Sequence, residues 1–133
     1  MKYAAAMLRD LRQLPKYRKE LLAASKALKA QVDSFEYGDI YHGTWGQKRP
    51  RKLLRILPEA GIDQVQGWVL YLHGGAWTFG QPEHFLAAAS VFTDEGFGVI
   101  MPTYRRLPKY HCGHMLDDLR LALVGCKLHN WIH

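Results

Sequence analysis

Cysteine is scarce in this chain, with only Cys112 and Cys126 among 133 residues. Two thiols are too few for a disulfide scaffold, so the fold must rest on an apolar core, and both cysteines are expected as small buried or half-buried groups. Long apolar runs are missing too. No stretch approaches the ~20 residues of a membrane span. The opening Met1-Lys2-Tyr3-Ala4-Ala5-Ala6-Met7-Leu8-Arg9-Asp10 has no apolar core of signal-peptide length before charge interrupts it. That absence points to a cytoplasmic protein. There is no internal repeat and no low-complexity tract. What remains, 48% apolar residues in a chain of this length, suits one globular domain.

Acidic residues are sparse at the start of the chain. Residues 1–32 hold eight Lys or Arg (Lys2, Arg9, Arg12, Lys16, Arg18, Lys19, Lys26, Lys29) against Asp10 and Glu20, which accounts for the whole net charge of +6. The rest of the chain carries ten residues of each sign. A nucleic-acid-binding domain carries its positive charge on the folded body, so nucleic acid is not the expected partner. Good helix formers fill Ala4 to Leu14, Pro15 interrupts, and a second helix is expected from Lys16 to Val32. Tyr17, Leu21, Ala24, Leu28 and Val32 recur at three- and four-residue spacing and make one apolar stripe opposite a basic face. Two readings follow. The favoured one is a helical extension docked on the remainder of the chain; the other is a basic amphipathic helix lying on an anionic membrane surface. The chain thus divides into a basic extension, 1–32, and a domain, 33–133.

Within the domain the patterns alternate. Phe35-Glu36-Tyr37 and Ile40-Tyr41 alternate apolar and polar as half-exposed antiparallel strands do. The stretch 42–50 is turn-rich, and Leu53-Leu54-Arg55-Ile56-Leu57-Pro58 is a strand ended by proline. Trp68-Val69-Leu70-Tyr71-Leu72 is an unbroken apolar run, expected as a central strand buried on both faces. It stops at His73, and Gly74-Gly75-Ala76-Trp77 follows at once; open α/β sheets bind ligands at such carboxyl ends of strands. Pro82 suits a first helical position. Phe85, Ala88, Ala89 and Phe92 make a helical stripe, and Gly96 is placed to cap its end. Phe97 to Pro102 is the next strand. A last helix is expected from Met115 to Trp131, with Leu116, Leu119, Leu123 and Cys126 on its inner face. Strand, helix, strand, helix is the pattern of a parallel sheet flanked by helices.

His73-Gly74-Gly75-Ala76-Trp77 after an apolar strand resembles the α/β-hydrolase superfamily in its esterase, lipase and formamidase branch, which carries a His-Gly-Gly-x loop after its third strand. Pro102-Thr103-Tyr104-Arg105-Arg106-Leu107-Pro108-Lys109 is similar to the family segment written D-Y-R-L-A-P-E, and Asp118 matches the acidic residue of the helix that follows. The resemblance runs from about Phe35 onward and is strongest from Trp68 to Leu123. It implies an α/β fold, the N-terminal portion of an α/β-hydrolase, with residues 1–32 as a cap or lid.

The resemblance also implies a chemistry. Acyl transfer passes through a tetrahedral intermediate with a negative oxygen, and fixed N–H donors stabilise it. By resemblance the oxyanion hole is made by Gly74, Gly75 and Ala76, with the amides of Gly75 and Ala76 donating and Gly74 shaping the turn. Trp77 would line the substrate pocket. His73 would brace the loop rather than act as a base. Tyr104, Arg105 and Asp118 would hold the neighbouring loop, through an Arg105–Asp118 ion pair. No cofactor is implied, and the substrate is a small-molecule ester or amide. Where the family has D-Y-R-L-A-P-E, this chain departs at Thr103, Arg106, Leu107 and Lys109. The last change reverses a charge near the pocket, so the family's usual substrate preference does not carry over. His111-Cys112-Gly113-His114 gathers zinc-ligand types. A structural site needs a fourth ligand, however, and Asp117 would have to join from the next helical turn; no metal is expected.

The family mechanism needs a serine in a G-x-S-x-G elbow, then an acid, then a histidine. Ser25, Ser34 and Ser90 are the only serines, and none lies between glycines. Neither cysteine occupies such an elbow. The expectation is therefore a partial hydrolase without catalytic residues of its own, inactive alone. Its alternatives are a module that completes a sheet in trans by edge-strand pairing or self-association, and a membrane-surface protein held by the basic helix.

Overall fold

The computed structural model describes residues 31–43, 45–74 and 80–132, together with 15, 16, 19, 20, 23 and 24. These six N-terminal residues are helical, and Gln31 and Val32 belong to the first strand; the rest of the basic extension lies outside the described residues. Four strands follow: β1 (Gln31–His42), β2 (Lys48–Leu57), β3 (Trp68–Leu70) and β4 (Gly98–Pro102). They form one mixed sheet in the order β1-β2-β4-β3. β1–β2 and β2–β4 are antiparallel, and β3–β4 is parallel. Helix α1 (Leu86–Thr93) crosses between the parallel pair, entered through a 3-10 turn at Pro82–Phe85. Helix α2 (Cys112–Leu128) follows β4.

Side chains alternate along a strand, and β2 shows what each face meets. Leu54 and Ile56 pack with Val99 and Met101 of β4 against Ala89 of α1. Leu53 and Ile100 face the other way, against Ala122 and Cys126 of α2. The sheet is thus covered by one helix on each face. Ile56 is fully buried, and cutting such a side chain back to alanine costs roughly 2–5 kcal/mol.

Several boundaries differ from the sequence expectations, each for a physical reason. The half-exposed strand expected over 35–41 is longer, a strand of 12 residues, with irregularities between Glu36 and Tyr41 absorbed in its pairing with β2. Val32, placed by spacing in the helical stripe, stands in β1 opposite Ile56, where its β-branched side chain suits extended backbone. β2 begins at Lys48, because antiparallel pairing with β1 carries it back through the basic residues.

The strand buried on both faces is β4, all five of whose residues are buried, and not the run Trp68–Leu72. β4 has a partner on either side. β3 lies at the sheet edge, with Leu70 40% and Leu72 49% exposed.

In α2 the inner face is Met115, Asp118, Ala122 and Cys126. Leu116 and Leu123 point outward, at 55% and 40% exposure. The charged contacts of Asp118 set that rotation. Helix α2 also stops before Trp131: Asn130 takes φ 52°, and the Trp131 amide reaches back to the Cys126 carbonyl at 2.9 Å. Trp131 then meets Phe35 edge to face, 4.5 Å between centroids. Cys126 is buried, whereas Cys112 is exposed at the start of α2.

Candidate active site

The parallel pairing of β3 with β4 continues one step past the strand, as the Tyr71 amide donates to the Ile100 carbonyl at 2.8 Å. Two residues later the chain enters the glycine-rich loop at His73, which is only 2% exposed. The Tyr104 hydroxyl donates to the His73 carbonyl at 2.7 Å. The His73 ring lies stacked 4.7 Å from the Tyr104 ring and 5.9 Å from that of Phe85.

Its Nδ1 lies 2.9 Å from the carbonyl oxygen of Gly74. A carbonyl only accepts, so Nδ1 carries the hydrogen and Nε2 is left with a bare lone pair. That nitrogen is buried without a hydrogen-bond partner among the described residues. Burial pushes the pKa of His73 down, partly offset by its bond to Gly74. A neutral ring clamped between two others is a post for the backbone it carries.

The loop leaves at Gly74 and returns at Gly80, and the two ends touch. Gly80 has φ 92°, and a Cβ on it would lie 2.6 Å from the Gly74 carbonyl oxygen. Only glycine fits there. The side chain of Arg106 donates from Nη2 to the Gly80 carbonyl. Tyr104 and Arg106, two positions apart after β4, therefore hold the outgoing and returning stems of one loop. Gly74 itself is exposed, with open space where a Cβ would stand. Gly75, Ala76 and Trp77 lie outside the described residues.

Arg105, between those two anchors, turns toward α2. It forms an ion pair with Asp118, Nη2 to Oδ1 at 2.9 Å, and its amide donates to Oδ2 at 2.7 Å. Asp118 has no exposed surface and receives a second guanidinium, that of Arg51 on β2, at 3.3 Å. A carboxylate with this many charge-assisted donors is compensated for its burial. Beside it the Tyr37 hydroxyl donates to the Thr103 carbonyl. Burial, followed by the nearby Asp118 charge, raises the Tyr37 pKa strongly.

Sequence reasoning placed His73, Tyr104, Arg105 and Asp118 around one loop, but gave no part to Arg51 or Arg106. Arg51 carries a signal, since it falls on the same strand face as Leu53 and so points toward α2. Arg106 stood out only as a departure from a pattern.

The histidines of the His111-Cys112-Gly113-His114 run cap α2. His111 Nδ1 accepts from the Gly113 amide at 3.0 Å, and His114 Nδ1 accepts from the His111 amide at 3.2 Å. Among the described residues no group of three or more His, Cys, Asp or Glu is placed to hold a metal ion. Among them, too, no helix is long and apolar enough to cross a membrane.

No protein-family model matches the chain, and no curated protein does. Solved structures do. Esterase B from Lactobacillus rhamnosis superposes with a TM-score of 0.63 at 18% identity, over 92% of this chain and 38% of that one. A hyperthermophilic esterase from the archaeon Pyrobaculum calidifontis gives 0.62 at 20% identity, over 86% and 34%. A bacterial heroin esterase gives 0.62 at 20% identity, over 87% and 36%. Across such matches the chain spans 34% to 41% of the length of the protein it resembles. With a mixed sheet covered by helices on both faces and a glycine-rich loop after its parallel edge strand, this chain has part of an α/β-hydrolase fold.

Proposed function

We propose that this chain supplies the oxyanion side of a serine-type carboxylic-ester or amide hydrolase. The observation that carries the reading is a glycine-rich loop with both stems held, by Tyr104 at His73 and by Arg106 at Gly80. Stabilising a tetrahedral oxyanion needs donors that are already in place, so that little reorganisation is left for the moment of reaction. The amides of Gly75 and Ala76 would be those donors, Gly74 would shape the turn, and Trp77 would line the acyl or leaving-group pocket. His73 with Tyr104, and Arg105 with Asp118, would keep the loop at its angle. The esterases among the similar structures favour an ester substrate of small-molecule size. The proposed mechanism calls for no cofactor.

No serine among residues 1–133 stands in a G-x-S-x-G elbow. The nucleophile, acid and base of this mechanism would come from outside these residues, and residues 1–133 alone would turn over no ester. The test is to read the coding DNA beyond His133, express the whole frame, label it with a fluorophosphonate, and assay it on p-nitrophenyl acetate. A labelled serine in a G-x-S-x-G context is expected. Ala76→Pro, which deletes one amide donor, should lower kcat by about 10²–10³-fold. A frame without the elbow, or an Ala76→Pro enzyme of unchanged rate, would overturn the reading.

A second reading is an interaction module that pairs along the outer edge of β3. It is favoured by that edge having no partner strand among the described residues. A separate reading, favoured by the concentration of positive charge in residues 1–32, is peripheral attachment of a cytoplasmic protein to an anionic membrane surface through those residues. Binding to anionic liposomes that is lost on deleting those residues would support it.

A further inference from the structure

Arg106 does more than hold the loop, because no carboxylate among the described residues forms an ion pair with it. Its side chain is mostly buried, and its Nε is enclosed without a hydrogen-bond partner among the described residues. Among the described residues no carboxylate pairs with it or with Arg49, and the two cations share the same small clefts. One cleft, of about 60 Å³, is lined by Tyr41, Arg49, Lys52, Glu83 and Arg106 among others. Glu83 is the acidic group there; Lys52 pairs with its Oε1, and its Oε2 is buried without a hydrogen-bond partner among the described residues. Three cations against one paired carboxylate leave a surplus of two positive charges.

Leaving a guanidinium desolvated without a counter-charge is expensive, and a neighbouring cation raises the cost. The Arg106 pKa is lowered first by burial and further by Arg49, while Tyr41, Tyr104 and Glu83 act in the opposite sense. The chain holds this arrangement through its fold. Arg49 stands opposite Tyr41 in the β1–β2 ladder, Lys52 lies further along β2, and Arg106 arrives after β4.

The cleft does not end at the charges. Tyr41, Arg49 and Arg106 also line an adjoining space of about 130 Å³, whose other walls include Trp45, Leu107 and Tyr110. Trp45 is 89% exposed, a large aromatic face open to solvent among the described residues. A head with negative oxygens fits the inner part, where the donors are. A flat apolar body fits the outer part, where the rings are.

We infer that Arg106, Arg49 and Lys52 form a binding site for the carboxylate or phosphate group of a small molecule whose apolar body lies along Trp45 and Tyr110. The site does not rest on the ester-hydrolase reading, since every residue in it is described and none is a proposed oxyanion donor. Because Arg106 also bonds Gly80, an occupied cleft would brace the returning stem of the glycine loop.

The test is calorimetric titration of the whole chain with inorganic phosphate, phenyl phosphate and benzoate, with chloride adjusted to constant ionic strength. Phenyl phosphate or benzoate should bind, and Arg49→Gln should weaken that binding at least tenfold. Arg106→Leu should do the same where circular dichroism shows it folded. Arg120→Gln, on the exposed side of α2, should change nothing. Trp45→Ala should remove the advantage of phenyl phosphate over inorganic phosphate. Which aromatic ligand binds more tightly identifies the head group. No binding by any of the three ligands, or wild-type affinity in Arg49→Gln, would overturn the site. Equal affinity for phosphate and phenyl phosphate would overturn the part given to the rings.

Discussion

Tyr104 holds His73 in two ways at once: its hydroxyl donates to the histidine's main-chain carbonyl at 2.7 Å, and its ring stacks on the imidazole at 4.7 Å. Tyr104→Phe keeps the stack and deletes the bond, leaving a buried carbonyl without its donor. A buried acceptor stripped of its partner costs about 1–3 kcal/mol. The urea midpoint of the variant should fall by that amount, while its near-ultraviolet circular dichroism stays close to wild type. An unchanged midpoint would show that the hydroxyl does nothing for the loop.

Asp118 should be the most damaging single charge to remove. It has no exposed surface and answers two guanidinium groups, from Arg51 and Arg105, which are only 14% and 18% exposed. Asp118→Asn would leave both cations buried without a counter-charge, a loss of roughly 3–5 kcal/mol. A domain of ordinary stability has about 5–15 kcal/mol in all. Thermal denaturation should therefore show a midpoint at least about 10 °C below that of the wild type. Asp117→Asn, whose partner Arg120 is exposed, should melt with the wild type.

The same residue shows what could and could not be read from the sequence. Spacing alone placed the Pro82 entry to α1 and the strand ending at Pro102, because each depends on neighbours in the chain. The inner face of α2 could not be placed that way. Counting apolar residues selects Leu116 and Leu123, but the face is set by Asp118 meeting Arg51, 67 positions away. A long-range ion pair outweighed local hydrophobicity. The central strand was misplaced for a similar reason. Trp68–Leu72 is more apolar than average, yet burial depends on having a neighbour on each side, and β3, at the end of the order β1-β2-β4-β3, has one among the described residues. His111 and His114, at the start of α2, carried metal-ligand chemistry in their residue types, whereas the helix uses them as caps.

His73 gives stability a pH dependence of definite sign. Burial lowers its pKa from the ordinary value, chiefly because the charged ring would be desolvated, and the backbone bond to Gly74 only partly offsets this. Below about pH 6.5 the unfolded chain takes up a proton that the folded chain still refuses. The unfolded state then binds more protons, so stability increases with pH across this window and is lost on acidification. The contribution is fully present above about pH 6.5. His73→Phe retains a ring between Tyr104 and Phe85 but cannot titrate. The difference in urea midpoint between the two proteins should change between pH 5 and 7 in that direction, and a difference independent of pH would refute the assignment.

The outer edge of β3 should make the isolated chain associate. Leu70 and Leu72 lie there at 40% and 49% exposure, beside backbone that no strand pairs among the described residues. An unpaired apolar edge is a template for another strand. Sedimentation equilibrium should show association that rises with concentration, and the double variant Leu70→Lys, Leu72→Lys should abolish it by placing charge along that edge. A second apolar surface competes for this explanation, because Leu128 on α2 is 76% exposed. Leu128→Lys separates the two: it should leave association intact if the sheet edge is responsible, and suppress it if the helix is. A wild-type chain that stays monomeric at high concentration would remove the edge as a pairing surface altogether.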